Sequence, residues 1–221
     1  MADRGRAPAD PPSRSIPRPA VGNDVVDLTE PRCRGKGSSE PFLRRVLTEA
    51  EREAVRAADD PDLALWRRWA AKEAAFKAAT TLEGTPPTFV HAAFEVREGT
   101  SGRGVVRWRG RVLPWRLTGG RSEGGLHVVA WSADEGGRPL VTGGTALLPP
   151  EAAVPAGRFS EAELEAVHSP ASAWVRLHAR EALSRAAEVD EGELEIVCTG
   201  GPVGRAPPRV LVRGEPSEWT V

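Results

Sequence analysis

The sequence predicts an α+β fold of two related helix-plus-antiparallel-sheet units forming a pseudo-dimer, the second unit incomplete. Three observations predict it. Each half carries a capping-box helix, then a longer helix, then short β-rich runs. The segment WAAKEAAFKA (69–78) aligns without gaps with LHAREALSRA (177–186), so that Ala71, Glu73, Ala74 and Ala78 match Ala179, Glu181, Ala182 and Ala186. A Gly- and Pro-rich stretch separates the halves. The expected organisation is a leader (1–20), an acidic, metal-binding unit (21–133), a linker (134–157) and a second, basic, C-terminally short unit (158–221).

The leader is rich in Pro, Arg and Ala and is expected to be disordered. Order is expected from Val21, where VGNDVVDL reads as a strand. Alternation puts Asp24 and Asp27 on opposite faces unless the strand bends. The polar loop 31–40 carries Arg32, Arg34 and Lys36. A short helix or turn is expected over 42–47, then a helix capped by Thr48 with Glu51 reaching back. Asp60 or Asp62 then caps a long helix running to about residue 81, with Pro61 in its first turn and Gly84 past its end. Residues 89–96, 105–108, 112–117 and 126–131 read as an antiparallel meander. In the second half, Ser160 and Glu163 form another capping box. Ser169-Pro170 opens a helix to about residue 188, and strands are expected over 194–198 and 209–213.

With 221 residues and 40% hydrophobic composition the chain can bury a substantial core. Its net charge of −1 gives no global argument for nucleic acid or an anionic membrane. Cys33 and Cys198 are too far apart for a metal motif and read as free thiols of a reducing compartment. No apolar run approaches the roughly 20 residues of a membrane span, and the N-terminus lacks a signal core. A cytoplasmic location is expected.

Chemistry concentrates on the long helix. Leu65, Trp69 and Phe76 share a face that Trp66 widens, and Glu73 lies at its edge. A carboxylate there is costly to desolvate unless it is paired or holds a metal. The chain has three lysines, and two of them, Lys72 and Lys77, flank Glu73. The same stretch also reads as an ordinary amphipathic helix with solvated charges. If the first strand packs beside it, Asp24, Asp27 and Glu73 converge, and three carboxylates without His or Cys favour Mg²⁺ over Zn²⁺. Lys72 or Lys77 would help neutralise a phosphate. Arg180, Arg185 and the loop 204–208 face them from the second unit, across an expected cleft. Glu181 has no acidic strand beside it, so a single metal site belongs to the first unit. His91 and His127 fall in predicted strands without ligand partners and read as structural or exposed.

Gly22-Asn23-Asp24-Val25-Val26-Asp27-Leu28, followed by Trp69-Ala70-Ala71-Lys72-Glu73-Ala74-Ala75-Phe76-Lys77, resembles the paired signatures of the 4'-phosphopantetheinyl transferases. The second unit is similar to the other half of the pseudo-dimeric members, with the halves in swapped order. The resemblance implies Mg²⁺-dependent transfer of 4'-phosphopantetheine from coenzyme A, the co-substrate, to a serine of an acyl or peptidyl carrier protein. It implies Mg²⁺ ligation by Asp24, Glu73 and, as the additional strand acid, Asp27. Lys77 would contact the coenzyme A phosphates, with Lys72 as a further basic contact, and Glu73 would help deprotonate the serine. Arg180 and Arg205 match positions that hold the 3'-phosphate and adenine side. The family's non-acidic half continues into a strand bearing Ser-His, and this sequence has no such pair. A non-catalytic member that binds coenzyme A or a carrier protein is therefore the alternative expectation.

Overall fold

The computed structural model describes residues 20–120, 124–132, 152–198, 200–201, 204–205, 208–217 and 219. Nearly all of the leader and most of the expected linker lie outside the described residues.

The first unit opens with β1 (Val21–Asp27). Two short helices follow, α1 (Glu40–Val46) and α2 (Glu49–Arg56). The capping box on α2 forms as expected, with Thr48 accepting from the Glu51 backbone and Glu51 accepting from the Thr48 backbone. Helix α3 (Pro61–Glu83) starts at an Asp60 cap and stops at Gly84, whose φ of 69° is a left-handed terminus that glycine adopts without strain. Strands β2 (Glu95–Glu98), β3 (Arg103–Trp108), β4 (Arg111–Gly120) and β5 (Gly125–Trp131) form the antiparallel meander. The sheet order is β1-β5-β4-β3-β2, so the first strand closes onto the last. Helix α3 lies across β1 and β5.

The helix buries two kinds of surface. Ala70, Ala71, Ala74, Ala75, Ala78 and Ala79 are fully buried and make a flat face that lets the sheet approach. Of the face shared by Leu65, Trp66, Trp69 and Phe76, the first two are buried in the core and Trp69 and Phe76 form a partly buried flank. There Trp69 packs with Phe42 and Phe76 stacks on Phe89. In the same core, Phe94 stacks on Trp108 with centroids 5.4 Å apart, and Trp115 is fully buried.

One predicted strand is mostly absent. Residues 89–94 form an irregular segment with a 3-10 turn, His91–Ala93, and only Glu95 onward is strand. The reason is competition for the backbone. The Lys72 ammonium takes the carbonyls of His91 and Phe94 at 3.0 and 2.6 Å.

The second unit repeats the plan in shorter form. It has α4 (Glu161–Leu164), α5 (Pro170–Ala187) and β6 (Leu194–Val197). A two-residue pair, β7 (Gly200–Gly201) and β8 (Gly204–Arg205), precedes β9 (Arg209–Val212) and β10 (Glu215–Pro216). Its main sheet runs β10-β9-β6, and its small core of Leu183, Leu194, Ile196 and Val210 is separate from the first. No described helix is long and apolar enough to cross a membrane.

The repeat extends to a buried device. Glu51 accepts from the Thr48 and Val96 backbones and from Lys72. Glu163 accepts from the Ser160 and Ile196 backbones and from Arg180. In each unit a capping-box glutamate ties the short helix, the long helix and the first strand after it into one hydrogen-bonded knot.

Candidate active site

Gly22 brings strand and helix together. A Cβ on Gly22 would stand 2.2 Å from the Ala74 carbonyl oxygen and 2.5 Å from the Ala78 nitrogen. Only glycine permits that approach. Two residues on, Asp24 points to the same face. Its Oδ1 lies 2.9 Å from Lys77 Nζ, which also donates to the Asn23 carbonyl at 2.6 Å. Glu73 sits one turn before Lys77 on α3. Burial holds the Asp24 carboxyl above the usual aspartate range; the Lys77 hydrogen bond and charge oppose this, and the Glu73 carboxylate adds to it. Two carboxylates that repel each other beside an ammonium suit a divalent cation, which relieves the repulsion.

Among the described residues, no group of three His, Cys, Asp or Glu side chains converges as a complete metal cage. A two-carboxylate site fits Mg²⁺, which keeps several waters and binds substrate phosphates as further ligands.

The structure thus brings together Asp24, Glu73 and Lys77. It does not bring Asp27, which lies on the opposite face of β1. The Asp27 carboxylate instead takes the Thr29 amide and hydroxyl at 2.8 and 2.6 Å, and these bonds hold it below the usual aspartate range. The strand does not bend between the two aspartates, so alternation keeps them apart.

Lys72 is also corrected. It is fully buried, 2.8 Å from Glu51, and its remaining donors go to the two carbonyls beside β2. One residue along a helix is a turn of about 100°, so Lys72 points into the core while Glu73 points out. Burial lowers the Lys72 pKa, and the Glu51 charge and hydrogen bond counter that shift. Arg180, expected to hold a nucleotide phosphate, is likewise buried against Glu163 and donates to the Arg158 and Glu191 carbonyls. The Arg205 side chain lies outside the described residues. Glu181 faces Arg185 and His178 on an exposed surface of α5.

His91 joins the site without having been expected there. Its Nε2 lies 3.5 Å from Glu73 Oε1. Its ring is held between Trp69 and Phe89, at 4.4 and 4.2 Å between centroids. The signal was Pro86-Pro87, two adjacent residues without amide donors, which argue against a regular strand so soon after them. A surface depression of about 520 Å³, bounded by Thr48, Ala93, Glu95, Arg107 and Arg111, includes none of these site residues.

The chain is similar to holo-[acyl-carrier-protein] synthase of Azoarcus sp. (strain BH72), 43% identical over 72 residues, which are 33% of this chain and 57% of that protein. The same-named protein of Chlorobaculum parvum is 41% identical over 58 residues, 26% of this chain and 50% of its own length. The matches thus span only about half of these relatives. Among solved structures, the holo-[acyl-carrier-protein] synthase of Neisseria meningitidis aligns with a TM-score of 0.42 at 20% identity, covering 52% of this chain and 98% of that one. The model of the 4'-phosphopantetheinyl transferase superfamily matches residues 20–132, just over half of the chain and the whole of the unit that carries Asp24, Glu73 and Lys77. The chain belongs to that superfamily.

Proposed function

We propose that this protein transfers 4'-phosphopantetheine from coenzyme A to a serine of an acyl or peptidyl carrier protein, with Mg²⁺ bound by Asp24 and Glu73. The observation that carries this is the Asp24–Lys77 pair beside the Gly22 contact between β1 and α3, with the Glu73 carboxylate near enough for its charge to act on Asp24. A bound Mg²⁺ would supply charge neutralisation at the coenzyme A pyrophosphate.

The chain's own residues do the rest. Glu73 accepts the proton of the carrier serine, directly or through a water. The serine oxygen forms a bond to the phosphorus that carries the pantetheine arm. The bond from that phosphorus to the bridging oxygen breaks, and 3',5'-ADP leaves with the electron pair. Lys77, about half exposed, is free to swing from Asp24 to the phosphates and stabilise the charge that develops on the leaving group. The proposed site of this activity is the cytoplasm.

The test is a mass-shift assay with coenzyme A, Mg²⁺ and a panel of apo carrier proteins. A gain of one phosphopantetheine by a carrier is expected with the wild type and a loss of at least about 100-fold with Glu73→Gln. No transfer to any carrier, with coenzyme A still bound, would instead establish the non-catalytic alternative.

A further inference from the structure

We propose that His91 is a positioning residue for Glu73, fixing the orientation of its carboxylate toward Asp24 and a bound divalent cation; this rests on the function proposed above. Helix α3 grips the His91 turn at four successive places. Trp69 packs on the imidazole, Lys72 takes the His91 and Phe94 carbonyls, Glu73 faces Nε2, and Phe76 stacks on Phe89, the other neighbour of the ring. The imidazole is thereby fixed in plane and position.

The buried Nε2 has no hydrogen-bond partner among the described residues, and Glu73 Oε1 stands before it at 3.5 Å. That distance is longer than a formed hydrogen bond. A small rotation about the last torsion of Glu73, which is broad and soft, closes it. As the Nε2–H tautomer, His91 then donates to one carboxylate oxygen and sets the plane of the group. A hydrogen bond from a neighbour to a ligating carboxylate orients it and sharpens cation binding.

Packing alone does not account for the residue. A phenyl ring would fill the slot between Trp69 and Phe89 as well as imidazole does, without leaving a buried nitrogen unpaired. The second unit supplies an internal control. There the first residue of the corresponding turn is Glu191, whose carbonyl accepts from Arg180 as that of His91 accepts from Lys72. The backbone grip is common to both units, and the imidazole stands only in the unit with the acidic strand.

His91→Phe and His91→Gln separate the roles. Mn²⁺ binding by the full chain, read by electron paramagnetic resonance, is measured beside Mg²⁺-dependent transfer. The Phe variant keeps the stack and loses the donor. It is expected to melt as the wild type does, to bind Mn²⁺ about 10- to 100-fold more weakly, and to lose kcat by a similar factor while KM for coenzyme A stays within about twofold. The Gln variant keeps a donor and should recover most of the cation affinity. Wild-type Mn²⁺ affinity in the Phe variant overturns the proposal, as does a Gln variant as impaired as the Phe. If the wild type binds Mn²⁺ but transfers nothing, the proposed function fails while the Mn²⁺ comparison still decides the role of His91. If it binds no cation, both fall.

Discussion

Lys72 and Glu51 form an ion pair with almost no access to solvent, 2.8 Å apart. Buried pairs of this kind add little net stability over apolar replacements, but removing one partner strands a charge in the core. Lys72→Met is therefore expected to cost about 3–5 kcal/mol, and Glu51→Gln a comparable amount. The double variant should cost clearly less than the sum, because neither charge is then left alone. Denaturant titration of the three variants checks this, and additive losses would show that the pair is not coupled.

The Asp24 carboxylate carries a cost in stability. Its carboxyl is held above the usual range by burial, with Glu73 adding. The folded state therefore binds the proton more tightly than the unfolded chain. Stability falls as pH rises from the ordinary aspartate value through the raised one, and stays reduced above it. Asp24→Asn removes that cost and can still accept the Lys77 hydrogen bond. The variant should be more stable than the wild type at neutral pH, should lose the difference at about pH 3, and should bind Mg²⁺ poorly. Thermal melts between about pH 3 and 8 give the comparison.

Gly22→Ala tests the contact that builds the site. The new methyl meets backbone atoms of α3, which cannot move aside as a flexible side chain would. Overpacking of this kind costs about 1–3 kcal/mol or more, and strand and helix must separate. Transfer activity should fall by more than the folded fraction does, since Asp24 moves away from Glu73. Activity per folded molecule, corrected by circular dichroism, is the readout.

Lys77 and Asp27 should behave in opposite ways. Lys77→Met removes a partly exposed pair worth about 0–1 kcal/mol in stability. It should nevertheless lower kcat by about 100-fold or more, because a donor to the leaving group is gone. Asp27→Asn lies on the other face of β1, and transfer is expected to stay within about twofold of wild type. A large loss at Asp27 would mean that the strand rearranges when coenzyme A binds.

Much of this was legible in the sequence. Local signals carried the helices: the Thr48 and Ser160 capping boxes, Pro61 and Gly84 all sit where they were read. Alternation along β1 was legible too, and it already separated Asp24 from Asp27. The direction of Lys72 was not, because charge alone does not say which flank of a helix faces the core. Its buried partner, Glu51, lies 21 residues away and also serves the capping box. His91 was lost for a related reason. Its segment has strand composition, which outweighed the signal of Pro86-Pro87, and the long-range claim of Lys72 on its carbonyls helps keep it out of the ladder.

The knot around Glu51 also sets where the chain tolerates changes in length. The Lys72 ammonium and the Glu73 carboxylate are correct only in one rotational phase of α3. One residue inserted between Asp60 and Lys72 would turn everything beyond it by about 100° relative to the helix start. The ammonium would then leave Glu51 and the carboxylate would swing toward the core. Beyond Thr81 no such phase is kept, because Gly84 ends the helix with open space around it. Natural variation in length among relatives should therefore gather after α3, and should be missing from its first three turns.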